Sequence, residues 1–157
     1  MMNMYQKCID LLKERGVELE DIAECVLYLQ KPFIPGLSKE TTLEMIDNVL
    51  KKREVQHAIL TGISIDKAAE EGKLHDKEFS YTLMMDESLY GVDEVLAYGI
   101  CNLYGSIALT NFGYIDRVKP GIIGKLNSHD GKTCNTFLDD IVGAIAASAA
   151  SRIAHSK

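Results

Sequence analysis

Of the nine residues from Gly143 to Ser151, only Ile145 carries a side chain larger than that of serine. Helices approach one another to a distance set by the side chains between them, so a helix this bare admits neighbours close to its backbone. The segment is therefore expected to be the central helix of its fold or a contact between subunits. It is read as starting at Asp139 or Asp140 and running to about His155. Its apolar run, Ile141 to Ala150, is interrupted by Gly143 and Ser148 and closes before Arg152. That is well short of the roughly 20 apolar residues a spanning helix needs.

The rest of the chain supplies the helices to surround it. Tyr5, Cys8, Ile9, Leu11 and Leu12 fall at helical spacing within residues 3 to 15, and Gly16 supplies a stop. A second helix is expected from about Glu20 to Gln30, ended by Pro32-Phe33-Ile34-Pro35-Gly36. Ser38 reads as the N-cap of one long helix reaching about Leu60, and Ser64 as the cap of a short one ending at Gly72. Lys73 to Lys77 is the linker candidate. Only Phe79 to Met84 shows strand-like alternation, so the expectation is all-α: a single multihelical domain over residues 1–157, helical in 1–72 and functional in 78–157. Beyond the linker, Asp93-Glu94 opens a helix. Another ends near Val118, because Pro120 drives Lys119 out of the α region.

A net charge of −6 and a pI near 5.2 argue against general nucleic-acid binding and against electrostatic adsorption to anionic lipid. Cys8, Cys25, Cys101 and Cys134 are scattered without CxxC spacing, and no apolar leader opens the chain. Reduced thiols in a cytoplasmic protein are expected, with at most peripheral contact at the inner face of a membrane. His57, His75, His129 and His155 show no metal-binding spacing.

Chemistry concentrates in acids. Asp139-Asp140 and Asp93-Glu94 each open a helix, where an aspartate ordinarily caps free N–H groups and complements the dipole. Only one of two acids can be the cap, and the other is free for a cation. If the two helix starts meet, four carboxylates repel one another unless they are protonated or share a divalent ion, which is the physical case for magnesium. Asp86-Glu87 is a rival for the first pair. Asp116 and Lys119 read either as a surface ion pair or as functional, with Lys119 a phosphate ligand and Asp116 a metal ligand or the residue that orients the lysine. The polar loop Asn127 to Lys132 is either solvated or a lid over a phosphate, with His129 and Lys132 as the candidate contacts.

Taken together, four segments resemble the phosphatidylglycerophosphatase A family, in its small branch that includes the low-temperature-requirement C proteins. They are Pro32 to Gly36 for a Pro-x-x-Pro-Gly segment, Asp93-Glu94, Asp116 to Pro120 for Asp-x-x-Lys-Pro, and Asp139 to Val142 for Asp-Asp-Ile-Val. After Gly36 the chain continues Leu37-Ser38-Lys39-Glu40 and not with the Thr and Gly-Ser pattern of membrane-bound members. The resemblance implies magnesium-dependent removal of the terminal phosphate of phosphatidylglycerophosphate. It carries metal-binding roles to Asp93, Glu94, Asp139 and Asp140, and catalytic roles to Asp93, Asp116, Lys119 and Asp140. Small soluble phosphomonoesters are the alternative substrate. A different class of answer is a non-catalytic helical protein that keeps its acids as caps and forms homo-oligomers through the Ala-rich helix.

Overall fold

The structure, a computed structural model, describes residues 3–128 and 130–156. Among them are nine helices and no strand: α1 (Met4–Glu14), α2 (Leu19–Gln30), α3 (Lys39–Leu50), α4 (Arg53–Glu70), α5 (Lys77–Met84), α6 (Val92–Cys101), α7 (Ser106–Val118), α8 (Ile122–Leu126) and α9 (Thr136–His155). The all-α, single-domain expectation holds, with the Ala/Gly-rich helix as its axis.

In α9 every residue but Arg152, Ala154 and His155 is buried. Helices α2, α3, α4, α6, α7 and α8 all pack on it. The small side chains are thus consumed within the chain, which removes the reason for expecting a subunit contact along this helix. Where α4 crosses it the approach is close, since a Cβ on Gly62 would lie 2.2 Å from Ile141 Cδ1. Phe112, Phe137, Ile59, Ile63, Ile100 and Ile115 fill the layers between. The buried acids Asp139 and Asp140 stand near the N-terminal end of α9, and Ser148 is a buried hydroxyl along its length.

Several boundaries differ from expectation for local physical reasons. The single helix expected from Ser38 to Leu60 is two, α3 and α4, separated at Lys51 and Lys52. Gln56 Nε2 donates to the Leu50 carbonyl at 2.8 Å, closing the end of α3 from inside α4. Ser38 does cap α3, accepting from Thr41 N at 3.1 Å. Ser64 caps nothing: it lies within α4, and its hydroxyl donates back to Leu60 O at 2.6 Å. The alternating stretch from Phe79 is helical because Asp76 accepts from Phe79 N at 3.0 Å and starts α5. No helix among the described residues is long and apolar enough to cross a membrane. All four cysteines are free and buried.

Candidate functional site

The axial helix begins one turn earlier than expected, at Thr136, so Asp139 and Asp140 are not its caps. The cap comes from another helix. Asp66 of α4, fully buried, accepts from the backbone N–H groups of Phe137 and Leu138 with both carboxylate oxygens, each at 3.0 Å. The preceding residues are gripped as tightly. Glu70 accepts from Cys134 N at 2.7 Å, Arg15 donates to Cys134 O at 2.7 Å and to Asn135 Oδ1 at 2.9 Å, and Arg15 pairs with Glu70. Thr136 donates its hydroxyl to Leu83 O at 2.5 Å. With the capping need met from α4, Asp139 and Asp140 are freed for other partners, although only 3% and 4% exposed.

Those partners converge from three sides. Asp93 and Glu94 stand in the first turn of α6, and Asp93 Oδ1 accepts from Glu94 N at 2.9 Å. Asp116 closes α7, and Lys119 follows in the left-handed region at φ 54°, as Pro120 forces it out of the α basin. This turn aims Lys119 Nζ to 3.0 Å from Asp116 Oδ1 and 3.7 Å from Asp139 Oδ2. The loop before α6 adds Asp86, itself at φ 48°, together with Glu87, Ser88 and Tyr90; Asn127 approaches from beyond α8. All of these residues line one cavity of about 170 Å³. The two rival acidic pairs, Asp86-Glu87 and Asp93-Glu94, both belong to it.

The Lys119 turn is braced from behind. A Cβ on Gly124 would fall 2.7 Å from the Lys119 carbonyl oxygen, a backbone atom that cannot swing aside. Gly124→Ala is therefore expected to destabilise the fold by about 1–3 kcal/mol, the usual scale of overpacking. Thermal melting checks this; an unchanged Tm would mean that α8 can move off Lys119 without loss.

Burial decides the electrostatics. It pushes Asp139 up to about 8, opposed by Lys119 and reinforced by Asp86, Asp116 and Asp93. Asp140 is raised further still, by burial, by the Asp139 charge and by hydrogen bonds with Asp93 and Asp116. A bond between two carboxyl groups requires that one keep its proton; Asp140 is the protonated partner and has one O–H, to give to Asp93 or to Asp116. Burial also raises Asp93, as it does Glu94 with help from the field of Asp116. Burial works against the Lys119 ammonium, but the bond to Asp116 and the fields of Asp139, Asp116 and Asp140 outweigh it and keep the group charged. Tyr90 is pushed up to about 12 by burial and by Asp93 and Asp66, so it stays a hydroxyl donor.

In donor chemistry the cavity suits a hard divalent cation, which takes carboxylate oxygens and water. Asp139 Oδ1 supports the fit, since it is a buried acceptor with no hydrogen-bond partner among the described residues. As the side chains stand, no three acids of the described residues form a ligand set. Protons shared with Asp140, and Lys119 between Asp116 and Asp139, hold the charge in balance instead.

Of the residues singled out in the sequence, Asp93, Glu94, Asp116, Lys119, Asp139 and Asp140 come together here. Lys132 does not line the cavity; its backbone N–H and that of Thr133 bond Asp130 Oδ1 at 2.8 and 2.7 Å in a tight turn. His129 lies outside the described residues. Cys134 is a packed thiol raised to about 11 by burial. Sequence reasoning missed Ser88 and Tyr90, which carry no pattern of their own, and named Asn127 only as the start of the candidate lid loop, of which it is the residue that lines the cavity. It also missed Asp66, whose position on the apolar face shared by Ile59 and Ile63 was a readable sign of a buried acid needing partners. A larger cavity of about 620 Å³, lined by Gln30, Phe33, Ile34, Pro35, Ile107, Asn111 and Ala154, contains no titratable group and offers no comparable chemistry.

Comparison with known proteins follows the same lines. The family model described as Phosphatidylglycerophosphatase A matches residues 11–155. The uncharacterized protein YutG of Bacillus subtilis is 57% identical over 152 residues, covering 97% of this chain and 91% of that protein. Uncharacterized YpjQ of the same organism is 51% identical over 157 residues, covering 99% of this chain and 87% of its own. The crystal structure of low temperature requirement C protein from Listeria monocytogenes superposes with a TM-score of 0.95 at 56% identity, covering 99% of this chain and 97% of that one.

Proposed function

Because the chain belongs to the phosphatidylglycerophosphatase A family, we propose that it is a magnesium-dependent phosphatase that removes the terminal phosphate of phosphatidylglycerophosphate and leaves phosphatidylglycerol. The observation that carries this reading is the convergence of Asp93, Asp116, Asp139, Asp140 and Lys119 on one cavity. Asp93, Glu94, Asp139 and Asp140 would hold the cation. Once bound, it supplies Lewis-acid polarisation of phosphoryl oxygens and activation of water.

The chain's own residues account for the rest. Lys119, held by Asp116 at 3.0 Å, neutralises charge that grows on the phosphoryl oxygens as the ester bond breaks. Tyr90 offers a hydroxyl donor to the same group. Water adds to phosphorus, the phosphorus–oxygen bond to the glycerol breaks, and the departing oxygen takes up a proton from solvent. Attack by a cavity carboxylate, followed by hydrolysis of the acyl phosphate, gives the same products.

A cavity of about 170 Å³ admits a phosphate head and leaves acyl chains outside. The rim supports a lipid substrate: Leu89, between the cavity residues Ser88 and Tyr90, is 98% exposed, and Val92 and Val95 on α6 are exposed beside it. The lack of a spanning helix among the described residues favours the second reading, a small soluble phosphomonoester. Phosphate release from phosphatidylglycerophosphate in mixed micelles, set against release from glycerol 3-phosphate, separates the two. The lipid is expected to give a kcat/KM higher by about tenfold or more, as remote contacts contribute to catalysis. The reverse order would favour the soluble ester. Inertness toward both would leave the helical protein without catalysis.

A further inference from the structure

We propose that Asp66 is a positioning residue for the acidic cavity, setting from α4 the register of the first turn of α9 and hence where Asp139 and Asp140 stand against Lys119 and Asp93. The inference rests on the phosphatase reading for its activity readout and on geometry for everything else.

The first turn of a helix leaves N–H groups without intrahelical partners, and in a buried helix those groups need an acceptor. Asn135, at the N-cap position of α9, provides no side-chain cap, and its Oδ1 is occupied by Arg15. Asp66 is the acceptor in its place, one oxygen on Phe137 N and the other on Leu138 N, each at 3.0 Å. Cys134 Sγ lies 3.5 Å from Asp66 Oδ1, with Leu83 O and Thr136 Oγ1 as its other acceptors at 3.6 and 3.7 Å. The two bonded amides immediately precede Asp139 and Asp140 in the chain. Among the described residues Asp66 hydrogen-bonds to Cys134, Phe137 and Leu138, none of which lines the cavity, and only its field reaches Tyr90 there, yet it fixes the turn from which both acids project. Above about pH 7, where Asp66 is ionised, its two oxygens each accept from one of two successive amides, whereas a neutral amide side chain offers one acceptor oxygen and turns an NH2 group toward the other N–H.

The neighbouring grip provides the internal control. Glu70 stands one helical turn along α4 and bonds Cys134 N, but reaches no amide of α9. Both acids tie the same segment to the same helix, and only Asp66 acts on the turn that bears the site.

The test compares wild type, Asp66→Asn and Glu70→Gln by hydrogen exchange at the amides of residues 137 to 142 and by magnesium-dependent phosphate release. Asp66→Asn is expected to speed exchange at these amides by about tenfold or more, as a local opening does. It should lower kcat by about 10²-fold with KM little changed, the cost of displacing catalytic groups by near 1 Å. Glu70→Gln should leave both near wild type, whatever it does to Tm. Equal effects of the two variants on exchange and kcat would overturn the inference, because Asp66 would then be one more structural tie. Should Asp66→Asn not fold, Asp66→Glu carries the same comparison, with the carboxylate kept but displaced. If wild type releases no phosphate, the phosphatase reading fails on its own, and exchange at residues 137 to 142 still decides the role of Asp66.

Discussion

Asp140→Asn is expected to cut magnesium-dependent phosphate release by about 10²–10³-fold, the scale for losing one preorganised electrostatic group, with the fold retained. Both halves of this result come from the same surroundings. Asp140 has one proton to share with Asp93 or Asp116 and sits beside Asp139, so it stands where the three helices that bear the acids meet. In the metal-free protein, burial and the Asp139 charge keep it protonated, and asparagine reproduces a neutral, isosteric group there. Stability should change little, while a position that must become anionic to hold a cation can no longer do so. Activity within threefold of wild type, alongside an unchanged Tm, would show that the cavity does not do this chemistry.

The second large effect is on stability. Asp66 is raised by burial to about 7, and Asp139, also by burial first, to about 8. An unfolded aspartate titrates near ~3.9, so the folded protein binds protons more tightly than the unfolded chain at these two sites. Their contribution is fully present below about pH 4 and is lost as pH rises through 7 to 8. Metal-free protein is accordingly expected to melt lower at pH 8 than at pH 5. A loss of about 2 kcal/mol would lower Tm by about 4–8 °C in a chain of this size. Magnesium should raise Tm more at pH 8 than at pH 5, since it competes with protons for the same oxygens and stabilises only the folded state. A flat Tm across this range, or an equal magnesium effect at both pH values, would contradict the charge arrangement described for the cavity.

The central helix was legible because its evidence is local: eight small residues around Ile145 can hardly serve a surface. The acidic pairs and the Lys119 turn were legible for a similar reason, as helix starts and X-Pro steps leave marks within a few residues. Their convergence was not, because it depends on how α6 and α7 lie across α9. The start of α9 was misread because capping by Asp66 spans 71 and 72 positions of sequence, and the local rule then assigned the caps to Asp139 and Asp140. The break between α3 and α4 carries no glycine or proline; Lys51 and Lys52 are tolerated there because Gln56 supplies the closing bond from within α4. α8, with only five residues, is too short to show periodicity.

These acids and Lys119 form, on our reading, a magnesium-dependent phosphatase site. Its most direct test is phosphate release from phosphatidylglycerophosphate by protein stripped of metal with chelator, before and after magnesium is restored, for wild type beside Asp140→Asn and Lys119→Ala. Release by wild type is expected only after magnesium is restored, with near-background rates in both variants. Release that ignores magnesium, or that survives in either variant at the wild-type rate, would contradict this reading.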